Sequence, residues 1–288
     1  MRIMRCSRLA VACLVALVIG MFLAPPGLVV GAELPEVRSP GGSGSGPEDR
    51  DSTAVIVTDR PDVTDASTVV PRGSLLGENG ATFTRDRGKS MLDGPQSMLR
   101  LGVATRTEFR LGVPNYVADL QSGPDSRGFG DMSVGFKEQL GPLPGGVELA
   151  VIAGLSLPTG AHGVSSGGYD PFIKLPWSLE LSRSWSIGGM VSLFWLTDED
   201  RRNPTWQPAF YIERQITKSW DVFLEYAADY PAHGEPRPIL HTGTAYRITP
   251  RNQLDLHIGV GLSRAAPAVF VGIGYSFLID HVMPVGIR

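Results

Sequence analysis

The chain is poor in cysteine, and the little it has is badly placed for structure. Of 288 residues two are cysteines, Cys6 and Cys13. Both fall in an N-terminal stretch with the marks of an export signal. Arg2, Arg5 and Arg8 stand without an acidic neighbour, an apolar run extends from Leu9 to Leu23, Pro25-Pro26-Gly27 breaks it, and Val30-Gly31-Ala32 offers small residues for cleavage. Cleavage after Ala32 removes both cysteines, which excludes disulfide and thiol chemistry from the mature chain. It also removes three positive charges and no negative ones, taking the formal net charge from −3 to −6. No basic excess is available as a nucleic-acid footprint, so no nucleic-acid partner is expected. Beyond the signal no apolar run is long enough for a transmembrane helix.

Catalytic and metal patterns are missing too. His162, His233, His241, His257 and His281 are scattered without metal-ligand spacing. Gly154-Leu155-Ser156-Leu157-Pro158 lacks the second glycine of a nucleophile elbow. Gly128-Phe129-Gly130-Asp131-Met132 lacks the third glycine of a dinucleotide fingerprint and the helix that should follow it. No catalytic residue, metal or cofactor is expected. An outer-membrane hydrolase using Ser156, His241 and His257 stays open only because geometry, not sequence order, defines such triads.

What the chain does have is alternation. From Ala268 to Phe277, Val269, Val271, Ile273, Tyr275 and Phe277 share one face, while Phe270, Gly272, Gly274 and Ser276 share the other. From Leu254 to Leu262, apolar residues alternate with Asp255, His257, Gly259 and Gly261. A soluble sandwich turns such an apolar face inward; an outer-membrane barrel turns it to lipid. About twelve such runs of about ten residues follow one another after Arg72, the length that a tilted strand needs to cross a bilayer. Their connections alternate in length. Those near Thr105, Ser182-Arg183, Thr217-Lys218 and Thr249-Pro250-Arg251 are short and Gly141 to Gly145 is slightly longer; Arg85 to Pro95, Val117 to Gly128, Pro158 to Tyr169, Thr197 to Pro204 and Pro231 to Pro236 read as longer loops, and the short link Ser263 to Pro267 breaks the contrast. A barrel with short periplasmic turns and longer outer loops has this rhythm. The expected fold is all-β: an antiparallel up-and-down transmembrane β-barrel of about 12 strands.

The organisation that follows is a signal at 1–32, a Gly/Ser/Pro-rich flexible periplasmic linker at 33–57 and a barrel domain at 58–288. Its first part, 58–71, is turn-rich: residue types favour a surface turn leading into the domain, and the sharper reading is a segment at the barrel mouth held by Asp59, Arg60 and Asp62. Charged and polar residues recur on the small-residue faces: Arg100, Glu108, Arg110, Asp131, Lys137, Glu148, Lys174, Glu180, Asp221, Glu225, Arg247, Asp255 and His257. Toward lipid each would cost about 2–4 kcal/mol near the midplane, so they are assigned to the lumen. There they either line a pore or form a structural network that fills it.

Several of these stretches resemble one family. They are Thr58-Asp59-Arg60-Pro61-Asp62, Val70-Pro71-Arg72-Gly73, Gly128 to Lys137, Ala153 to Gly160 and Gly272 to Phe277. In order and spacing they are similar to the transporter family labelled "MetA-pathway of phenol degradation". The resemblance implies an outer-membrane barrel with a channel or transport role. Its partners would be outer-membrane lipid, small-molecule solutes and the barrel assembly machinery. The family supplies no catalytic residue to carry over. Many such barrels end on an aromatic residue; here Phe277 is followed by Leu278 to Arg288. The expected function is a porin-like channel for small, apolar or aromatic molecules, with a non-conducting structural or surface-binding barrel as the alternative.

Overall fold

In the computed structural model the described residues are 55–121, 127–198 and 201–283; the expected signal and nearly all of the linker lie outside them. Fifteen strands are formed: β1 Leu75–Asp86, β2 Lys89–Gly94, β3 Met98–Gly102, β4 Thr107–Gly112, β5 Tyr116–Asp119, β6 Arg127–Phe129, β7 Met132–Gln139, β8 Glu148–Leu157, β9 Asp170–Glu180, β10 Trp185–Asp198, β11 Arg201–Thr217, β12 Trp220–Pro231, β13 Arg237–Thr249, β14 Asn252–Gly261 and β15 Val269–Ile279. Neighbouring strands pair antiparallel, and β1 pairs with β15 from Leu75↔Ile279 to Arg85↔Val269, which closes the sheet. The closed ring runs β1-β3-β4-β7-β8-β9-β10-β11-β12-β13-β14-β15. It is a twelve-stranded barrel, so every edge is paired.

The three remaining strands are continuations, not extra staves. β2 pairs with the outer part of β1 from Thr82 to Asp86 and runs into β3 through Gly94–Ser97. β5 prolongs β4 beyond Val113-Pro114-Asn115, and β6 leads into β7 across Gly130-Asp131. Pro95 and Pro114 have no N–H to give to a ladder, so their strands break there. The breaks are tied together. Val113 N–H donates to Ser97 O at 2.9 Å, Gly130 N–H to Asn115 O at 2.8 Å, and the Asn115 amide to Asp93.

The stretches read as long loops at 85–95, 117–128 and 197–204 therefore contain β2, β5, β6 and the outer ends of β10 and β11. Outside an apolar belt both faces of a strand are wet, and the alternation that marks a half-buried strand disappears. The weak run at 74–84 is a full strand, β1. Its glycines make room for neighbours: a Cβ on Gly77 would lie 2.4 Å from the Phe277 ring and one on Gly80 2.2 Å from the Arg60 guanidinium. The last strand also continues past Phe277 to Ile279.

The outward face is apolar. Leu256, Ile273, Val271, Leu175 and Phe136 are exposed large hydrophobics on this face. Aromatics ring this belt at two levels. Trp206 stands beside Tyr230 near the outer ends of their strands, and Trp220 beside Tyr246 near the short turns. The inward face is polar, and several of its charged residues are almost wholly buried. A large exposed apolar face around a buried polar interior is the reverse of a soluble domain.

Candidate functional site

Residues 56–72 do not stay outside the barrel; they form a strap through its lumen. The strap enters beside the β13–β14 turn, where Ile56 N–H donates to Pro250 O at 2.8 Å. It leaves at the same end on the β3–β4 wall, where Val70 N–H donates to a Glu108 carboxylate oxygen at 2.8 Å and Gly73 N–H to Gly102 O at 2.7 Å. At the same end Ile56 and Val70 pack with Leu76 and Leu278 into a small apolar cluster. That contact places Leu278, the residue after Phe277, in the structure of the turn end.

On its β1-β3-β4-β7 side the strap completes a charge network. Arg100 and Arg110 are directly opposite on β3 and β4, and Glu108 is opposite Lys137 on β4 and β7. Two like charges facing each other on one sheet repel. Asp59 of the strap enters between them: its carboxylate accepts from Arg110 Nη2 at 2.6 Å, is 3.0 Å from Arg100 Nη1 and 3.2 Å from Lys137 Nζ. Arg100 also reaches Glu108 at 2.8 Å and Glu78 at 2.9 Å. Asp65, further along the strap, takes Arg110 at 3.2 Å and Lys174 at 2.7 Å. Four cations of the wall are thereby matched by Glu78, Glu108, Asp59 and Asp65, the last two supplied by the strap. Backbone donors add to this, since Asp59 N–H and Arg60 N–H both give to Glu78. Burial pushes the Asp59 carboxyl upward, but the charges of Arg100, Arg110 and Lys137 outweigh it and hold it well below the ordinary 3.8.

The other side is different in charge. Arg60 pairs with Asp255 at 3.2 Å and donates to Gln96 at 3.0 Å. Glu225 of β12 accepts the N–H of Val63 at 2.7 Å, the N–H of Thr64 at 2.9 Å and the Thr64 hydroxyl at 2.7 Å; His241 Nδ1 is 3.1 Å away. Asp62 stands in the field of Glu225, Glu213, Asp255 and Asp221. Desolvation first, and then these four carboxylates, push its carboxyl well above 3.8.

The expected lumen residues are thus distributed as follows. Arg100, Arg110 and Lys137 converge on Asp59 and Glu108, and Lys174 on Asp65. Glu225 and Asp255 hold the strap, and Arg247 pairs with Asp221 at 2.7 Å. His257 packs against His241 with ring centroids 5.0 Å apart. Glu148 accepts from Gln139 at 3.1 Å, while Glu180 is exposed at the strand end. Asp131 is not on a strand; it fills the break between β6 and β7 and accepts the amides of Gly160 and Ser166, each at 2.9 Å. The sequence reading overlooked Glu78, Thr64 and Asp65. Glu78 lies in Gly77-Glu78-Asn79-Gly80, where no alternation of large apolar and polar residues marks the strand.

Ser156 stands on β8, five strands around the wall from β13, and no hydrogen bond joins it to His241 or His257. Among the described residues no group of three or more His, Cys, Asp or Glu is placed to hold a metal ion.

The exit of the strap depends on one glycine. A Cβ on Gly102 would lie 2.1 Å from the Pro71 carbonyl oxygen, a backbone atom with little freedom to move. Gly102→Ala is expected to cost about 1–3 kcal/mol, the range for forced overpacking. Urea unfolding in detergent measures this, and an unchanged midpoint would show that the strap can move aside freely.

A family model described as "Putative MetA-pathway of phenol degradation" matches residues 58–279. The structure resembles the COG4313 outer membrane channel from Pseudomonas putida F1 with TM-score 0.56 and 12% identity, covering 74% of this chain and 98% of that one. It resembles the NanC porin with TM-score 0.51 and 9% identity, covering 70% and 98%. At such identities the likeness shows the fold, a porin-like β-barrel. No curated protein matches.

Proposed function

The chain belongs to the family of that description, and from this premise we propose that it is an outer-membrane channel for small solutes with an apolar or aromatic body. The observation that carries the proposal is the pairing of an apolar, aromatic-ringed exterior with a polar lumen that is not wholly filled. A cavity of about 350 Å³ opens above the strap, lined by Val63, Ala227, Ile239, Pro267 and Phe270 with Gln207, Asp229 and Arg237 among its polar members. Mixed lining of this kind suits a neutral solute with an apolar body and a few polar groups. The chain is exported by cleavage of residues 1–32, and 33–57 links that site to the barrel domain. The short-turn end, where both ends of the barrel strand series lie, faces the periplasm. The channel performs no chemistry: the lumen charges are pore lining and strap anchors.

Liposome swelling with the purified full chain tests the function. The panel should contain neutral sugars, charged solutes and hydroxylated or ionised aromatics that do not cross lipid unaided. Faster entry of small neutral and aromatic solutes than of multiply charged ones is expected. No entry of any solute would favour the second reading, a non-conducting barrel, which the dense network around Asp59 supports. Recovery of the protein in the soluble periplasm instead of the outer-membrane fraction would remove both.

A further inference from the structure

Two cavities meet opposite sides of one short run of the strap. Val63 lines the outer cavity of about 350 Å³. Pro61 and Asp62 line a second cavity of about 160 Å³ at the turn end, together with Glu213, Asp221, Arg247 and Gln253. Consecutive residues of one backbone therefore separate the two spaces. The walls that the cavities share are β11, β12 and β13. Gln207, Ala227 and Ile239 lie above the strap on β11, β12 and β13; Glu213, Asp221 and Ala245 lie below it on the same strands. The opposite half of the lumen, by contrast, is closed by the Asp59 network.

We infer that solute passes between the strap and the β11–β13 wall, that Pro61-Asp62-Val63 is the barrier on this route, and that Glu225 is the latch that holds the barrier shut. This rests on the channel reading and goes further by assigning the route and the residues that control it. Three features carry it. The barrier is thin, since adjacent residues reach separate cavities. At the apex its attachment to this wall is concentrated on one carboxylate, which takes the amides of Val63 and Thr64 and the Thr64 hydroxyl, while the Arg60–Asp255 pair stays with the base. Its remaining anchors are far stronger on the other wall, where Asp59 alone meets three cations. If Glu225 lets go, the apex swings about a fixed base and joins the two cavities. The joined route has a mostly apolar upper chamber and a lower one whose acidic residues, Asp62, Glu213 and Asp221, outnumber Arg60 and Arg247. Small neutral or cationic solutes fit such a passage better than anions.

The absence of cysteine after residue 13 makes a sided test clean. Val63→Cys and Asp62→Cys are prepared singly in the chain processed after Ala32, which holds neither Cys6 nor Cys13, and reconstituted in liposomes with a thiol scavenger trapped inside. A small cationic methanethiosulfonate is added outside. The two cysteines are expected to react in complementary fractions of the molecules, each from one insertion orientation. Reaction of both in the same orientation overturns the barrier. In an added Glu225→Ala background both are expected to react in every orientation. Planar-bilayer conductance of Glu225→Ala should then rise roughly tenfold or more, the occupancy change expected when charge-assisted hydrogen bonds are lost. Conductance and sidedness that both stay unchanged in Glu225→Ala overturn the latch while leaving the channel intact. Solute entry by the parent chain with neither cysteine reactive places the route elsewhere and overturns the inference alone. No conductance in parent or variant overturns the channel reading with it.

Discussion

Arg100→Met is expected to destabilise the folded barrel by about 3–5 kcal/mol, the cost of breaking a buried ion pair from one side. The guanidinium is 1% exposed and meets Glu108, Glu78 and Asp59 between 2.8 and 3.0 Å. Without it, three carboxylates remain buried near one another with only Arg110 and Lys137 to answer them. Methionine fills much of the volume, so the loss reports charge and hydrogen bonding more than packing. Urea titration of the refolded protein, read by the gel mobility of unheated samples, gives the number. The double variant Arg100→Met with Glu108→Gln is expected to recover part of it, because removing both members of a buried pair costs less than removing one. A loss under about 1 kcal/mol would mean that the network is hydrated and that each charge stands alone. Acid is expected to act on the same point from the strap side. The Asp59 pKa is depressed, so its contribution is complete above 3.8 and is lost only as pH falls through the depressed value. Protease sensitivity of the strap should therefore appear in strong acid and be absent at neutral pH.

The second large effect is on the outer surface. Ile273→Arg is expected to cost about 2–4 kcal/mol when the barrel folds into a bilayer, and Leu262→Arg about 0–1 kcal/mol. Both side chains are more than half exposed, at 55% and 51%. In water the two substitutions should be equally harmless. In lipid they differ by depth: Ile273 lies midway along β15, opposite Leu256 and Ala81, whereas Leu262 follows the outer end of β14. Equal and small costs in lipid vesicles would mean that this face does not meet hydrocarbon.

The two predictions address the parts of the molecule that were differently legible in the chain. The outer face was open to reading because each strand carries its own record of it. Val271, Ile273 and Tyr275 alternate with Gly272 and Gly274, and side-chain direction in a strand is a local property with period two. The strand number followed from the same property, and the loop rhythm chose a closed up-and-down barrel over a sandwich. Where both faces meet water or another protein segment the record fails. β2, β5 and β6 passed for loops for that reason, and Gly77 and Gly80 made β1 look broken although they are small to admit Phe277 and Arg60.

Asp59, Arg60 and Asp62 were marked as notable by their turn-rich setting, and the lumen charges by their strand faces. Nothing in the chain joined the two sets. Arg60 and Asp255 are 195 residues apart, and Glu225 lies 161 residues from Thr64. By itself the sequence determined a cysteine-free β-barrel and a polar interior, since each is written in local composition or in a repeat of two. Only the tertiary structure decided that residues 56–72 cross that interior, satisfy one half of its charges and leave the other half with two cavities. Closing the sheet brings strands that are distant in the chain onto one lumen, and it is this convergence, absent from any local pattern, that turns scattered charges into a network and a turn into a barrier.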